Sequence, residues 1–283
     1  MIYLALSILS STGIFVLFKL FNKHKVDTLQ AIVVNYITAC CCGFIHNSQP
    51  VNFSEVMTSN WFIPAICLGF LFIVIFNVMA ITAQKNGLSV ASVASKMSVI
   101  IPVIFGVWVF KESVGFKKIT GILLALIAVY LTSVKAKEAK ASHASLIPPI
   151  ILFFGSGIID TSINYFAPDD SIPLFSAFIF CFAFIVGSFL LIYKSIRLKK
   201  SFKLRSLPLG ITLGLVNYSS IFFLLKALRI DGLESSALFT INNVAIVAIS
   251  TLVGLLVFKE QISKRNWSGI ALALISIVLI TLA

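Results

Sequence analysis

Phe110–Leu131 reads FKESVGFKKITGILLALIAVYL, and Phe258–Leu279 reads FKEQISKRNWSGIALALISIVL. The two align without a gap. Phe-Lys-Glu opens each copy, eight residues follow, and Gly-Ile-x-Leu-Ala-Leu-Ile runs on, so Phe110 pairs with Phe258 and Gly121 with Gly269. Each copy closes one long apolar run and opens the next. A second pair of matching turns, Lys85–Gly87 and Ile230–Gly232, breaks successive helices with a glycine, and Gly69 and Gly214 precede those turns by the same interval. A duplication of this kind in so apolar a chain predicts a membrane protein of two related halves.

Composition agrees. The 283 residues are 59% hydrophobic and 11% charged, with a mean hydropathy of +1.06. A soluble domain carries about 25% charged residues, so a soluble globule is excluded. A helix crossing the hydrocarbon core needs about 20 apolar residues. Ten such runs can be placed: Ile2–Phe21, Thr28–His46, Trp61–Gln84, Val90–Phe110, Ile119–Val134, Ile147–Phe166, Leu174–Tyr193, Pro208–Ala227, Ser235–Phe258 and Trp267–Ala283. The polar stretch Lys135–Ser145 divides them. The fold class expected is all-α, an integral membrane protein of ten transmembrane helices in two inverted five-helix repeats. Residues 1–134 form the first repeat, 135–145 a linker and 146–283 the second. Five spans per half is an odd number, so the second half enters the membrane from the opposite side, as in transporters whose halves rock about a midplane site.

The net charge of +12 would suggest a nucleic-acid partner in a soluble protein. Here Lys and Arg sit in short loops between apolar runs, where they set topology and meet anionic lipid headgroups; no nucleic acid is expected. The loops after odd-numbered spans hold most of them, including Lys23, Lys25, Lys85, Lys194, Arg197, Lys203, Arg205, Lys264 and Arg265. That bias places both termini outside the cytoplasm. The first apolar run is followed, not preceded, by lysines, which predicts a transmembrane segment rather than a cleaved signal peptide. The five cysteines lie inside apolar runs and match no metal-ligand spacing, so they read as small packing residues. No metal or cofactor is expected. His24, His46 and His143 fall at or near the ends of runs, a weak basis for acid–base work.

On these residues the chain resembles the ten-helix drug/metabolite transporter superfamily, in particular its EamA-like group. The likeness rests on the five-plus-five plan, on Glu112 and Glu260 ending the fourth span of each half, on Gly121 and Gly269 opening the fifth, and on Pro102 within the fourth span. Two departures stand out. Ser250 takes the place of Pro102 in the second half, so any proline kink is one-sided, and Phe-Lys-Glu stands where Leu-Gly-Glu is usual. The resemblance implies a secondary transporter in a bacterial inner membrane, often an exporter of amino acids, metabolites or small drugs, with a central cavity between the halves. It also implies termini inside the cytoplasm, against the charge bias.

Ionisable and polar groups within spans are costly and point to a pathway. Lys96, in the fourth span, is expected to meet an anionic group of the cargo, with snorkelling to the interface as the alternative. Asp160 and Asn164 share a face of the sixth span; the acid is expected to pair with Lys96, bind an amine or carry a coupling proton, a structural ion pair being the alternative. Asn77, Asn217, Tyr218, Thr240 and Asn243 complete the candidate substrate-binding set, since amides and phenols hold a polar small molecule without fixing its charge. They can equally lock helices together. The fifth, seventh and tenth spans are nearly free of such groups and are expected to face lipid or the second subunit of a homodimer. Ser268 and Ser276 in the tenth are expected to bond their own helix backbone. Glu112 and Glu260 are expected to hold the N-terminal amides of the helix that follows each. No phosphate-binding loop of the G-x-x-x-x-G-K-[ST] type occurs, which leaves an ion or substrate gradient as the energy source. A lipid-linked-substrate flippase on the same scaffold is the alternative function. A membrane-embedded enzyme would need a clustered acid, base or metal set, and the in-span residues supply none.

Overall fold

A computed structural model describes residues 2–47, 50–101, 104–105, 115–133, 146–168, 171–198, 203–228 and 235–281. Among them the regular elements are all helices: α1 (Ile2–Lys23), α2 (Thr28–His46), α3 (Phe53–Thr58), α4 (Phe62–Lys85), α5 (Leu88–Met97), α6 (Phe116–Ser133), α7 (Ile147–Phe166), α8 (Ile172–Leu198), α9 (Ser206–Leu228), α10 (Ser235–Leu256) and α11 (Lys264–Thr281). The chain is an all-helical membrane protein. In lipid every backbone N–H and C=O must be satisfied within its own segment, which selects helices for runs this apolar. Of the described helices α1, α2, α4, α8 and α9 are long and apolar enough to span a bilayer by length and composition alone.

Ten of the eleven helices fall on the ten predicted runs. The short α3 has no counterpart among them. Its Asn52 accepts the Ser54 N–H at 3.3 Å and donates to Glu55 at 2.7 Å, a local cap that nucleates one and a half turns in an otherwise polar loop. The fourth span is not one continuous helix. It stops at Met97, turns through Ser98 and Val99, and resumes at residue 100. There the Val99 N–H bonds the Lys96 carbonyl at 3.5 Å and the Ile101 N–H bonds the Ser98 carbonyl at 2.9 Å, both at three-residue spacing. Pro102 has no N–H to give the Ser98 carbonyl, which accounts for Ile101 taking it. The corresponding α10 runs unbroken from Ser235 to Leu256.

Contacts between the halves recur with roles exchanged. Helix α1 packs on α9 as α7 packs on α4; α2 packs on α9 as α8 packs on α4; α1 packs on α10 as α7 packs on α5. The pairs α2–α8, α5–α10 and α6–α11 are each made of mutual counterparts. Glycine sets the closest crossings. A Cβ on Gly69 would stand 2.5 Å from Phe182 Cβ and 2.8 Å from the Ala183 nitrogen; one on Gly214 would stand 2.5 Å from Thr38 Cβ and 2.6 Å from the Asn35 carbonyl. The larger apolar core centres on Phe18, Phe21, Tyr36, Ile73, Phe175 and Phe180. A second core, with Val93, Met97, Ala125, Ala128 and Ala273, sits where α5 meets α6 and α11. Large apolar side chains such as Phe70, Leu123, Phe189 and Ile192 are exposed on the outside, as a lipid-facing surface requires.

Two expectations about the polar-poor spans are corrected. Helix α8, the seventh span, lies against both α2 and α4 and buries Phe175 and Phe180, so only part of it meets lipid. Ser276 on α11 donates to the Gly121 carbonyl of α6 at 2.7 Å and so ties two helices together, whereas Ser268 does bond its own helix at Lys264.

Candidate functional site

The break after Met97 places Lys96 at the end of a helix that starts at Leu88. Eight residues separate them, about 12 Å along the axis at 1.5 Å per residue. Asp160 lies six residues, about 9 Å, from the Phe166 end of α7. Both are therefore well inside the hydrocarbon thickness of about 30 Å. They interact electrostatically across the α5–α7 contact without reaching ion-pair distance, and the Ser98 hydroxyl lies within hydrogen-bonding reach of the Asp160 carboxylate. Ser98 also donates to the Ser95 carbonyl at 2.5 Å, and the Ser156 hydroxyl of α7 meets the Ser95 hydroxyl at 3.4 Å. Asp160 lies one turn from the buried Ser156 on α7, yet its own side chain is exposed, and Lys96 is half-buried. An exposed acid one turn from a serine that meets α5 stands beside the α5–α7 contact. The two opposite charges are held short of contact there, with three serines beside them.

The other candidates divide. The Asn217 amide on α9 donates to the Asn35 side chain of α2 at 3.1 Å, and Asn35 in turn donates to the Ile32 carbonyl at 3.4 Å, so this pair locks two helices. Asn77 spends its amide on the Ile73 carbonyl of its own helix at 2.7 Å. Tyr218 stacks on Phe222 and leans on His46, with a buried hydroxyl that has no partner among the described residues. Asn243 is buried on α10, and its neighbour Asn242 accepts the Ser7 hydroxyl at 3.2 Å. The Asn164 and Thr240 side chains lie outside the described residues, as does Glu112. A small crevice among the described residues stands apart from the charges. It opens one turn beyond Asp160, between Phe72, Ile163, Phe175, Ser176, Phe180 and Ile221, and is almost wholly apolar.

Glu260 overturns its expected role. It does not hold the amides of the helix that follows it. Lys259, at φ +52°, turns the chain back after α10, and the Glu260 N–H bonds the Gly254 carbonyl at 2.9 Å. The carboxylate then reaches into the first half. It accepts the Leu88 N–H, at the start of α5, at 3.0 and 3.1 Å, and pairs with Lys19 of α1 at 2.8 Å. Only the charge-repeat position was visible in the sequence; the partner on another helix was not.

An all-helical membrane bundle whose halves pack with exchanged roles is an architecture that transporters use. The comparisons agree: the model of the EamA-like transporter family matches residues 1–134. The first part of the chain is thus similar to a family of multi-pass integral membrane transporters of the drug/metabolite transporter superfamily. An uncharacterized protein of Haemophilus influenzae is 28% identical over 280 residues, covering 97% of this chain and 95% of its own. A crystal structure of another protein superposes over 98% of this chain and 97% of its own with a TM-score of 0.55, and at 15% identity this likeness is one of fold.

Proposed function

We propose that the chain is a secondary transporter of a small polar metabolite bearing a carboxylate or similar anionic group, amino acids being the leading class. Its two halves alternate access to the site of Lys96 and Asp160. Lys96 holds the anionic group, because an ammonium at membrane depth stabilises an anion far more than it would in water. Asp160 balances a cargo amine or carries a proton, and the Ser95, Ser98 and Ser156 hydroxyls, which donate or accept as needed, fit polar cargo of either kind. The broken fourth span supports this reading, since discontinuous helices beside a midplane site are how such carriers expose backbone groups to cargo. Export across a bacterial inner membrane is the direction the family likeness favours.

The observation that carries the proposal is an opposite-charge pair on two membrane-spanning segments, held apart beside a helix break. Purified protein in liposomes, loaded with a panel of labelled amino acids and other carboxylates, tests it with and without a proton gradient. Lys96→Ala should abolish uptake of every carboxylate cargo, Lys96→Arg should keep part of it, and Asp160→Asn should remove gradient dependence or amine-bearing cargo alone. Full carboxylate transport by Lys96→Ala would refute it.

A further inference from the structure

Glu260 is the point at which the second half grips the first. Lys19 lies at the end of α1 and Leu88 at the start of α5, both in the first half, while Glu260 follows α10 in the second. One carboxylate satisfies a lysine and the leading amide of a ten-residue helix together. Such charge-assisted bonds are about twice as strong as neutral ones, and the helix N-terminus adds its own positive potential. Space was left for the contact. Gly87 sits at φ +112°, where glycine is at ease, and a Cβ there would come within 2.9 Å of Glu260 Oε2. A Cβ on Gly254 would come within 2.8 Å of the same oxygen. Lys19 also donates to the Ala83 carbonyl at 3.4 Å, so the end of α4 is drawn in.

Next to this contact is the Ser89 hydroxyl of α5, 3.6 Å from where a Cβ on Gly254 would stand, and one turn before Gly254 on α10 is Thr251; both hydroxyls are buried with no partner among the described residues. Their burial is nearly complete, at 5% and 2% exposure. A polar group left unpaired away from water costs about 1–3 kcal/mol, an odd expense in a permanently sealed interface. Along α5 the series continues as Ser92, Ser95 and Ser98 and winds from the α10 side, where Ser89 meets Gly254, to the α7 side, where Ser95 meets Ser156.

The geometry points to a gate: the contact of Glu260 with Lys19 and the Leu88 amide closes one end of a path that follows the serines of α5 from its α10 side to its α7 side, and must break for cargo to pass between that membrane face and the proposed Lys96–Asp160 site. This rests on the transport reading above. In the opened state Ser89 and Thr251 meet water, which supplies the partners they lack in the closed one.

The test reads accessibility rather than transport. In a variant with Cys40, Cys41, Cys42, Cys67 and Cys181 replaced by alanine, Ser89→Cys is exposed to a membrane-impermeant maleimide from each face of sealed vesicles. Labelling should be slow from both faces. Adding Glu260→Gln should raise the rate about tenfold from one face only, equivalent to about 1.4 kcal/mol, and Glu260→Asp should return it toward the starting value. Lys19→Gln should raise it less, since the Leu88 amide contact survives, and it serves as the readout if Glu260→Gln does not fold. The charge exchange Lys19→Glu with Glu260→Lys should stay fast, because an ammonium cannot accept the Leu88 N–H. Unchanged labelling in both single variants, or equal gains from both faces, would overturn the gate. Transport by Lys96→Ala is scored separately, so a failed gate leaves the cargo site standing and a failed cargo site leaves the gate standing.

Discussion

Gly69→Ala and Gly214→Ala each place one methyl group at a crossing between the halves. At Gly214 the new Cβ starts 2.5 Å from Thr38 Cβ and 2.6 Å from the Asn35 carbonyl, whereas ordinary contact begins at 3.4 Å. Helices α2 and α9 must therefore part by about 0.9 Å, the difference between 3.4 and 2.5 Å, and one of the two obstacles is backbone that cannot rotate away. The same separation strains the 3.1 Å Asn217–Asn35 bond one turn further on. Overpacking of this kind costs about 1–3 kcal/mol, against a gain of up to about 1 kcal/mol in helix propensity when Gly becomes Ala. With backbone among the obstacles the cost falls in the upper part of that range, about 2–3 kcal/mol, so that after a gain of about 1 kcal/mol the balance is a loss of about 1–2 kcal/mol, or about 2–8 °C in Tm for a chain of this size. Gly69→Ala should behave alike, since the Ala183 nitrogen and Ile179 carbonyl of α8 stand in its way. Gly13→Ala is the control: it meets only the Val216 Cγ1 methyl, at 3.2 Å, which a side chain can yield. Thermal unfolding in detergent, followed by a thiol-reactive dye or by circular dichroism, gives the comparison. If Gly69→Ala and Gly214→Ala match wild type while Gly13→Ala does not exceed it, the close crossings are not what the glycines serve.

Two smaller predictions concern the polar locks. A double-mutant cycle on Asn35→Ala and Asn217→Ala, read as Tm or denaturant midpoint, should return a coupling of about 0.6 kcal/mol, the average for a polar contact between membrane helices; a coupling of zero would mean the pair is not formed in the membrane. Ser276→Ala should cost about 0.5–1.5 kcal/mol through the lost bond to the Gly121 carbonyl without altering carboxylate uptake in liposomes, because that bond joins α6 to α11 and involves neither Lys96 nor Asp160.

The spans were legible because hydropathy and length are local properties: Thr28–His46 and Ile147–Phe166 start and stop where the sequence places them. Boundaries drifted where amphipathic ends extend a helix past its apolar run, as at Lys264 in α11 and Leu198 in α8. The matching of Gly69 with Gly214 was legible too, and the structure gives it meaning, since each glycine sits where one half crosses the other. Partner choice was not legible. Nothing local distinguishes Glu260 bonding the next helix from Glu260 bonding Leu88, nor Ser276 reaching Gly121 from Ser276 reaching its own backbone. Those depend on which helices the bundle brings together. The same holds for Asn77 and Asn217, whose residue type suits a cleft or a helix lock equally well.

Duplication accounts for the scaffold, and the departures from it coincide with the residues proposed to meet cargo. Helix α10 is the counterpart of α5, yet Ser235–Leu256 holds no charged residue to answer Lys96. Helix α1 is the counterpart of α7, yet Ile2–Lys23 holds no acid to answer Asp160. Pro102, beside the helix break, is answered by Ser250 in an unbroken helix. A symmetric pair of charges would bind a symmetric ligand twice over; a lysine from one half facing an aspartate from the other defines a direction, with an anion-seeking end and a cation-seeking or proton-bearing end. The ordering matters for the gate as well. On the proposed reading, cargo that enters past Ser89 would meet Lys96 two turns further along the same helix, so the anionic end would be recognised by the element whose first amide Glu260 holds.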